Sequence, residues 1–401
     1  MIGSELPLAG VRVVEMTHMV MGPTCGMILS QLGAEVIKVE PPAGDKTRSL
    51  GGMGTSFFPL FNRGKRSVVL DFTKAEDRET MDRLLASADV FLENFRDGQL
   101  EKQGLGSDEL RRKYPHLIVA GHKGFLSGPY EHRPALDEVV QMMSGLAAMT
   151  GTSAKPQRVG SSANDIMGGM FGVITILAAL YQRRNGANGA AKGADIRIGL
   201  FENCLFLVAQ HMVEYEMTGH KPRSMPEREH AWPIYDIFET ADGERIFIGV
   251  VTEGHWQSFC REFGLDEFLN DPALRSTTDR ILARSRIIPR AAEVIKQWNA
   301  AELSAKLDQL NICFSPINRP EDLFSDPHVL RPGGLVHNIN ADGKPFRVPA
   351  LPIEWNGDNI GEGLKVPVLG ADTEAVRAEL ASEHFGSNGH SPTAKPAVRL
   401  A

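Results

Sequence analysis

Short apolar runs alternate with amphipathic stretches through the first third of the chain. Runs of four to six apolar residues predict buried strands, whereas apolar positions spaced three and four residues apart predict helices. Strands are predicted at residues 11–16, 35–40, 67–70, 90–93 and 117–120, and helices at 25–32, 74–87 and 107–113. The first two strands are separated by a segment long enough for a parallel crossover. The alternation therefore predicts an α/β fold with an open, Rossmann-like parallel sheet.

The pattern becomes mainly helical after residue 134 and changes again at a polar segment near residue 223. Helices are predicted over 134–149, 164–182 and 205–217, with a strand over 192–200. Farther along, Asp242 and Gly243 lie between two apolar runs and predict a β-hairpin over 235–239 and 246–250. Helices are then predicted over 255–263, 288–299 and 301–311, extended chain follows, and a last helix covers 373–382.

This organisation predicts two domains and a tail. The large α/β domain is discontinuous and covers 1–220 and 330–385, and a smaller α+β domain covers 225–325. Residues 386–401 are rich in Gly, Ser and Pro and are expected to be a disordered tail.

Composition narrows the function classes. The net charge of −7 disfavours nucleic acid as the main partner, because phosphate binding requires a basic surface. The four cysteines are scattered without metal-ligand spacing, so reduced thiols and no metal site are expected. The first residues lack the pattern of a secretory signal, which favours a cytoplasmic location. The longest apolar helix is predicted at about residues 170–181, shorter than the roughly 20 residues that span a bilayer, so no membrane partner is expected.

Asp165 begins a predicted helix and is followed by Gly168, Gly169 and Gly172 on one face. Each helical glycine costs about 1 kcal/mol relative to alanine, so something must require the space. The space could serve close packing of another helix or a ligand beside an ionised carboxylate. Taken alone, these residues favour an ordinary first-turn aspartate, which the helix dipole stabilises.

Two further candidates follow predicted strands, at the edge where open α/β sheets bind ligands. His18 follows the first strand and Lys123 the fifth, and each could equally be a solvated loop residue. The basic segment 62–66 (NRGKR) could hold phosphates or form a solvated turn. A G-x-G-x-x-G motif is missing after the first strand, where Gly22-Pro23 introduces a helix, and this disfavours a dinucleotide dehydrogenase.

From about residue 7 to 380 the chain resembles the class III CoA-transferases. This family includes formyl-CoA transferase and the carnitine CoA-transferases, and α-methylacyl-CoA racemases share its fold. The resemblance is carried, in order, by PLAGVRVVEMTHMVMGP, LGAEVIKVEPPAGDKTR, FNRGKRSVVLDF, DVFLENFRDGQLEKQGLG, KGFLSGPYEHRPALDEVVQMMSG and FSPINRPEDLFSDPHV.

The resemblance implies that Asp165 is the catalytic nucleophile and that the glycine face leaves room for a thioester. CoA or an acyl-CoA would be a substrate, and no permanently bound cofactor or metal is implied. The family's CoA-contacting positions correspond here to His18, Val20, Met21, Leu70, Asp71, Phe72, Thr73, Asn94, Phe95, Lys102 and Lys123. An interlocked homodimer of ring-shaped subunits is also implied.

The chain departs from formyl-CoA transferase at several of these positions. Lys102 and Pro41 stand where that enzyme has arginines, and the segment EREHAWPIYD replaces its glycine-rich loop. The acceptor is therefore expected to be neither formate nor oxalate. Together with Lys123, the cations Arg48 and Arg66 favour a small dicarboxylic acid as acceptor and succinyl-CoA as donor.

An acyl-CoA racemase is the alternative on the same fold. The racemases carry a histidine directly before the position that matches Asp137, and Leu136 stands there in this chain. One of the two acid–base groups needed for α-proton exchange is therefore missing, and the resemblance favours a transferase.

Overall fold

The computed structural model describes residues 6–185 and 192–386, so the predicted tail lies almost wholly outside the described residues. The described residues form two compact units, one on either side of the boundaries at residues 226–227 and 329–330, and residues 227–329 make up the second unit.

The first unit is built on a six-stranded sheet whose neighbouring strands all run parallel. Its strands are β1 (Arg12–Met16), β2 (Glu35–Glu40), β3 (Arg66–Val69), β4 (Val90–Glu93), β5 (Ile118–Lys123) and β6 (Asp195–Gly199). The order across the sheet is β3-β2-β1-β4-β5-β6, so the winding direction reverses between β1 and β4. Such a reversal opens a crevice at the carboxyl ends of these two strands. The predicted parallel sheet is confirmed.

Helices cover both faces of this sheet. They are α1 (Met21–Gln31), α2 (Phe57–Asn62), α3 (Ala75–Ser87), α4 (Ser107–Lys113), α5 (Asp137–Met143), α6 (Leu146–Thr150), α7 (Ala163–Asn185) and α8 (Leu200–Thr218). Successive strand residues point to opposite faces. Accordingly, Val14 packs in one core with Leu84 of α3, whereas Val13 packs in another with Cys25 of α1 and Val173 of α7.

Several helix boundaries differ from the predicted ones. Helix α1 begins at Met21 rather than at residue 25, because Pro23 lies in the first turn, where its missing N–H would have no partner anyway. The helix predicted over 134–149 is instead two short helices, α5 and α6. Gly145 lies between them with a φ of +87°, a conformation that ends a helix.

Helix α7 has 23 residues, almost twice the length of the apolar helix predicted at about residues 170–181. By length and composition alone it could cross a membrane. The prediction that no helix reaches that length is therefore wrong. Helix α7 packs along α1 and contacts β5, and Val173 and Ile176 are buried in the core below it. A core helix of a globular unit passes the same length test.

The carboxyl-terminal part of the first unit closes over β3. It contains β10 (Leu335–Ile339), β11 (Pro345–Pro349), β12 (Glu354–Trp355), β13 (Asp358–Asn359) and α14 (Thr373–Gly386). Helix α14 is held by ion pairs, because Arg66 of β3 contacts Glu379 at 2.8 Å and Arg377 pairs with Asp77 of α3.

The second unit is a three-stranded antiparallel sheet with helices packed against it. Its elements are β7 (Ile234–Glu239), β8 (Arg245–Val250), α9 (Glu253–Glu262), α10 (Asp266–Leu269), α11 (Thr277–Leu282), α12 (Arg284–Ile295), α13 (Ala300–Gln309) and β9 (Cys313–Pro316). The predicted hairpin is confirmed as β7–β8. Strand β9, which pairs with β8, was not predicted, because Cys313–Pro316 ends in a proline and is mostly exposed.

Candidate active site

His18 and Asn94 meet at the crevice between β1 and β4. His18 lies two residues after β1, and Asn94 directly follows β4. The Asn94 side chain accepts a hydrogen bond from the His18 backbone N–H at 2.9 Å and donates one to the His18 carbonyl oxygen at 2.7 Å. The His18 ring also packs on Phe95, with centroids 5.4 Å apart. Asn94 and Phe95 therefore hold His18 in place, and the His18 side chain remains exposed.

The segment from Thr17 to Pro23 is held at both ends by hydrogen bonds from buried lysine side chains. Lys38 donates to the Thr17 carbonyl oxygen at 2.6 Å, and Lys65 donates to the Pro23 carbonyl oxygen at 3.0 Å. Between these ends, Met19 has a φ of +65°, which is uncommon for a residue with a side chain. The surrounding contacts must therefore over-determine this conformation.

These two lysines belong to a buried ionic network. Glu15 is fully buried and accepts from Lys65 at 2.8 Å and from the Thr17 hydroxyl at 2.6 Å. Lys38 lies 2.9 Å from the Asp45 carboxylate. Sequence reasoning missed this network. The signal was present, because Glu15 and Lys38 interrupt otherwise apolar strands, and charges are rarely buried without partners.

Asp165 lies in the first turn of α7 and is partly exposed. The pKa of its carboxyl group is raised to about 7, chiefly by burial and also by the nearby carboxylates of Asp137 and Glu138, whereas Arg158 acts to lower it. None of the described residues donates a hydrogen bond to this carboxylate. Asp165 is therefore an available carboxylate that is partly protonated at neutral pH.

The glycine face of α7 is filled by α1. A Cβ atom on Gly169 would lie 2.7 Å from the Thr24 Cβ and 2.8 Å from the Met21 carbonyl oxygen, and one on Gly168 would meet the Met21 side chain. The glycines thus allow close helix–helix packing. The expectation that they leave room for a thioester is wrong, although the same packing brings the start of α1 next to the start of α7.

The other predicted CoA-contacting residues fall into three groups by exposure. Val20, Met21 and Leu70 are almost completely buried and pack in the apolar cores, so these side chains do not face solvent. Thr73 and Lys102 are exposed, and Asp71, Phe72, Asn94 and Phe95 are partly exposed. The Asp71 carboxylate accepts from the Thr73 backbone N–H at 3.0 Å and so orders the turn before α3.

The cations that were predicted to favour a dicarboxylic acid are already neutralised. Lys123 lies 2.8 Å from Glu93 and 3.1 Å from Asp97. Arg48 is paired with Glu40 at 2.6 Å, and Arg66 contacts Glu35 and Glu379. The argument from these three residues is therefore wrong, because their charges are used inside the fold.

The basic segment 62–66 is neither a phosphate site nor a solvated turn. Arg63 and Lys65 are buried, and burial lowers the pKa of Lys65 to about 8. Arg66 is partly exposed and ion-paired. The segment is structural because its charges join β3 to the Glu15 network and to α14.

A cavity of about 340 Å³ lies beside the carboxyl end of β4, along β5 and beside the first residues of β6. Its lining includes Lys123 and Arg197 but more acids than bases: Glu93, Asp97, Glu101, Asp108, Glu109 and Asp195. This balance does not suit a phosphate group. Among residues 6–185 and 192–386, no cluster of three or more His, Cys, Asp or Glu side chains is placed to hold a metal ion.

The fold matches that of a solved protein over nearly its whole length. A CAIB/BAIF family protein from Brucella suis is 33% identical, with a TM-score of 0.82, over 94% of this chain and 99% of that one. The chain therefore has the fold of the CAIB/BAIF proteins.

Sequence relatives define the family more narrowly. The profile of CoA-transferase family III matches residues 8–373. The succinyl-CoA–D-citramalate CoA-transferase of Chloroflexus aurantiacus is 31% identical over 89% of this chain and 92% of that protein. The succinate–glutarate CoA-transferase of Agrobacterium fabrum is 30% identical over 93% of this chain and 96% of that protein. The chain belongs to CoA-transferase family III and is a CoA-transferase, which confirms the predicted family and enzyme class.

Proposed function

We propose that Asp165 is the nucleophile of a CoA transfer that proceeds through an aspartyl-CoA thioester. The observation that carries the proposal is the position of this carboxylate. It is partly exposed, has no hydrogen-bond donor among the described residues, and lies in the helix turn that packs on the start of α1. His18, at the crevice between β1 and β4, lies three residues before the start of α1.

The proposed reaction balances without an external oxidant or metal. An Asp165 carboxylate oxygen attacks the acyl carbon of the donor thioester, the C–S bond breaks, and CoA leaves as the thiolate. The resulting mixed anhydride is attacked by the thiolate at the Asp165 carbonyl carbon, which releases the donor acid as a carboxylate. Covalent catalysis of this kind divides one difficult exchange into easier steps.

The acceptor reverses these steps. Its carboxylate attacks the aspartyl thioester and releases the thiolate, which then attacks the acceptor's acyl carbon and regenerates free Asp165. Each thioester is made as another is broken, so no separate energy source is required. The raised pKa of Asp165 makes its ionised form a stronger nucleophile than an ordinary carboxylate, although less of that form is present at neutral pH.

We propose succinyl-CoA as the donor and a small dicarboxylic acid as the acceptor. The support comes from the two relatives, whose names specify succinyl-CoA with D-citramalate and succinate with glutarate. A direct screen tests it. Succinyl-CoA and acetyl-CoA are each incubated with mono- and dicarboxylic acids, and new thioesters are identified by mass spectrometry. Transfer to monocarboxylic acids only would refute this assignment.

We also propose that the protein is a homodimer, as the family resemblance implies. The support is an exposed set of large apolar side chains on α7 and α8: Met170, Ile174, Tyr181, Phe206, Met212 and Met217. Apolar patches of this kind commonly mark protein interfaces. Light scattering of the full chain tests the proposal, and a monomer at micromolar concentration would refute it.

The nucleophile is tested by Asp165→Ala with Asp108→Ala, an exposed acid on α4, as the matched control. Hydroxylamine treatment of the wild type after addition of donor thioester should convert Asp165 to a hydroxamate, detectable by peptide mass spectrometry. The Asp165→Ala variant should show neither the adduct nor transfer. Near-normal transfer by this variant would refute the proposal. Solvent deuterium incorporation at the α-carbon without any acceptor acid would indicate racemase chemistry instead.

A further inference from the structure

Arg158 joins the segment before α7 to two acids of α5. Its Nη2 atom donates to the Ser161 carbonyl oxygen at 3.0 Å and lies 3.3 Å from an oxygen of Asp137. Its Nη1 atom is paired with Glu138. Because Ser161 is only four residues before Asp165, the guanidinium group ties the approach to α7 directly to α5.

The same junction is held by a second set of contacts that does not use Arg158. Gln141 of α5 donates to Asp137 at 2.8 Å and accepts from the Val159 backbone N–H at 2.9 Å. On the other side, the buried Asn164 donates to the Leu200 carbonyl oxygen at 3.1 Å. The start of α7 is therefore anchored to both α5 and α8, and loss of Arg158 alone leaves these anchors in place.

The charges around Asp165 are unequal. Helix α5 supplies two negative groups, Asp137 and Glu138, and the segment before α7 supplies one positive group, Arg158. Helix α1 carries no charged side chain, and among the described residues these three groups are the ones whose charge shifts the pKa of Asp165. Asp137 is itself buried, and its Oδ1 atom has no hydrogen-bond partner. Arg158 thus contacts both acids that disfavour the ionised form of Asp165, and its own charge favours that form.

We propose that Arg158 is a positioning residue for the transfer reaction, which ties the segment before α7 to α5 and supplies the positive charge that favours ionised Asp165 against the negative charges of Asp137 and Glu138. The inference rests on the proposed role of Asp165 as nucleophile. It adds that transfer depends on a charge balance set by α5, so substitutions at Arg158 and at Glu138 must move the pH dependence in opposite directions.

The test measures kcat/KM for the donor thioester against pH in Arg158→Met, Arg158→Lys and Glu138→Gln. In Arg158→Met the acid limb should move upward. If the acidity of Asp165 falls about tenfold, its ionised fraction near pH 7 falls about fivefold, and the rate should recover at about pH 9. Glu138→Gln should move the limb downward. Arg158→Lys keeps the charge and should restore most of the pH profile.

Arg83→Met is the matched control, because Arg83 pairs with Glu79 on α3, which packs on the opposite face of the sheet. It should leave the profile unchanged. An unshifted acid limb in Arg158→Met, or shifts in the same direction for Arg158→Met and Glu138→Gln, would overturn the inference. If Arg158→Met does not fold, the downward shift in Glu138→Gln and the profile of Arg158→Lys decide the question. Transfer by Asp165→Ala would instead refute the nucleophile itself, so the two failures are distinguishable.

Discussion

Replacing Asp165 by asparagine should abolish transfer and also make the protein more stable at alkaline pH. The side chain keeps its size, but the amide cannot ionise and is a poor nucleophile. In the wild type, the folded state binds the Asp165 proton more tightly than the unfolded state does, because burial raises the pKa of this group. Ionisation therefore costs folding free energy, and the cost grows as pH rises.

The magnitude follows from the displacement of the pKa. A change from 3.8 to about 7 corresponds to a ceiling of about 4 kcal/mol, at about 1.4 kcal/mol for each tenfold change in acidity. Because Asp165 is partly exposed, solvent screening should reduce this to about 2 kcal/mol. The cost is absent below about pH 4, develops between about pH 4 and pH 7, and is complete above pH 7.

The assay is thermal unfolding of wild type and Asp165→Asn at a fixed scan rate across this pH range. The gain in Tm of the variant should be near zero at about pH 4 and reach a few degrees at about pH 8.5. Asp108→Asn, an exposed acid on α4, provides the control and should show no such trend. A gain that is independent of pH, or a loss of stability at about pH 8.5, would refute the argument that Asp165 carries a charge that folding disfavours.

Three further substitutions test the parts that hold the site. Gly169→Ala should destabilise the protein by about 1–3 kcal/mol, because the new Cβ meets the α1 backbone. The control Gly128→Ala places its Cβ in open space and should not destabilise the protein. Equal Tm values for the two variants would contradict this packing. Lys65→Met should cost about 3 kcal/mol in denaturant unfolding by leaving the buried Glu15 without its nearest cation, and the double variant with Glu15→Gln should regain part of it. Asn94→Leu should raise KM for the donor thioester several-fold with a smaller effect on kcat, because both hydrogen bonds to the His18 backbone are lost. An unchanged KM would show that the position of His18 does not depend on the Asn94 amide.

Most of the fold could be predicted from local sequence patterns. Residues 35–40 and 90–93 were predicted as strands from their mainly β-branched and apolar residues, and the structure forms β2 and β4 over the same residues. Asp242-Gly243 placed the β7–β8 hairpin correctly, because a two-residue signal is enough to select that turn. Helix ends were less predictable, since Pro23 and Gly145 act through backbone geometry that a periodicity does not contain.

The sequence by itself therefore determined the parallel sheet, the family, and the position of Asp165 at the start of a helix. Only the tertiary structure decided which charges are free. Lys123, Arg48 and Arg66 appeared as available cations, but their partners lie as far away as Glu379, 313 residues along the chain from Arg66. The glycine face of α7 was likewise ambiguous until α1 was seen against it. Apolar periodicity is a local property of the chain, whereas charge pairing and helix contact depend on which distant segments the fold brings together.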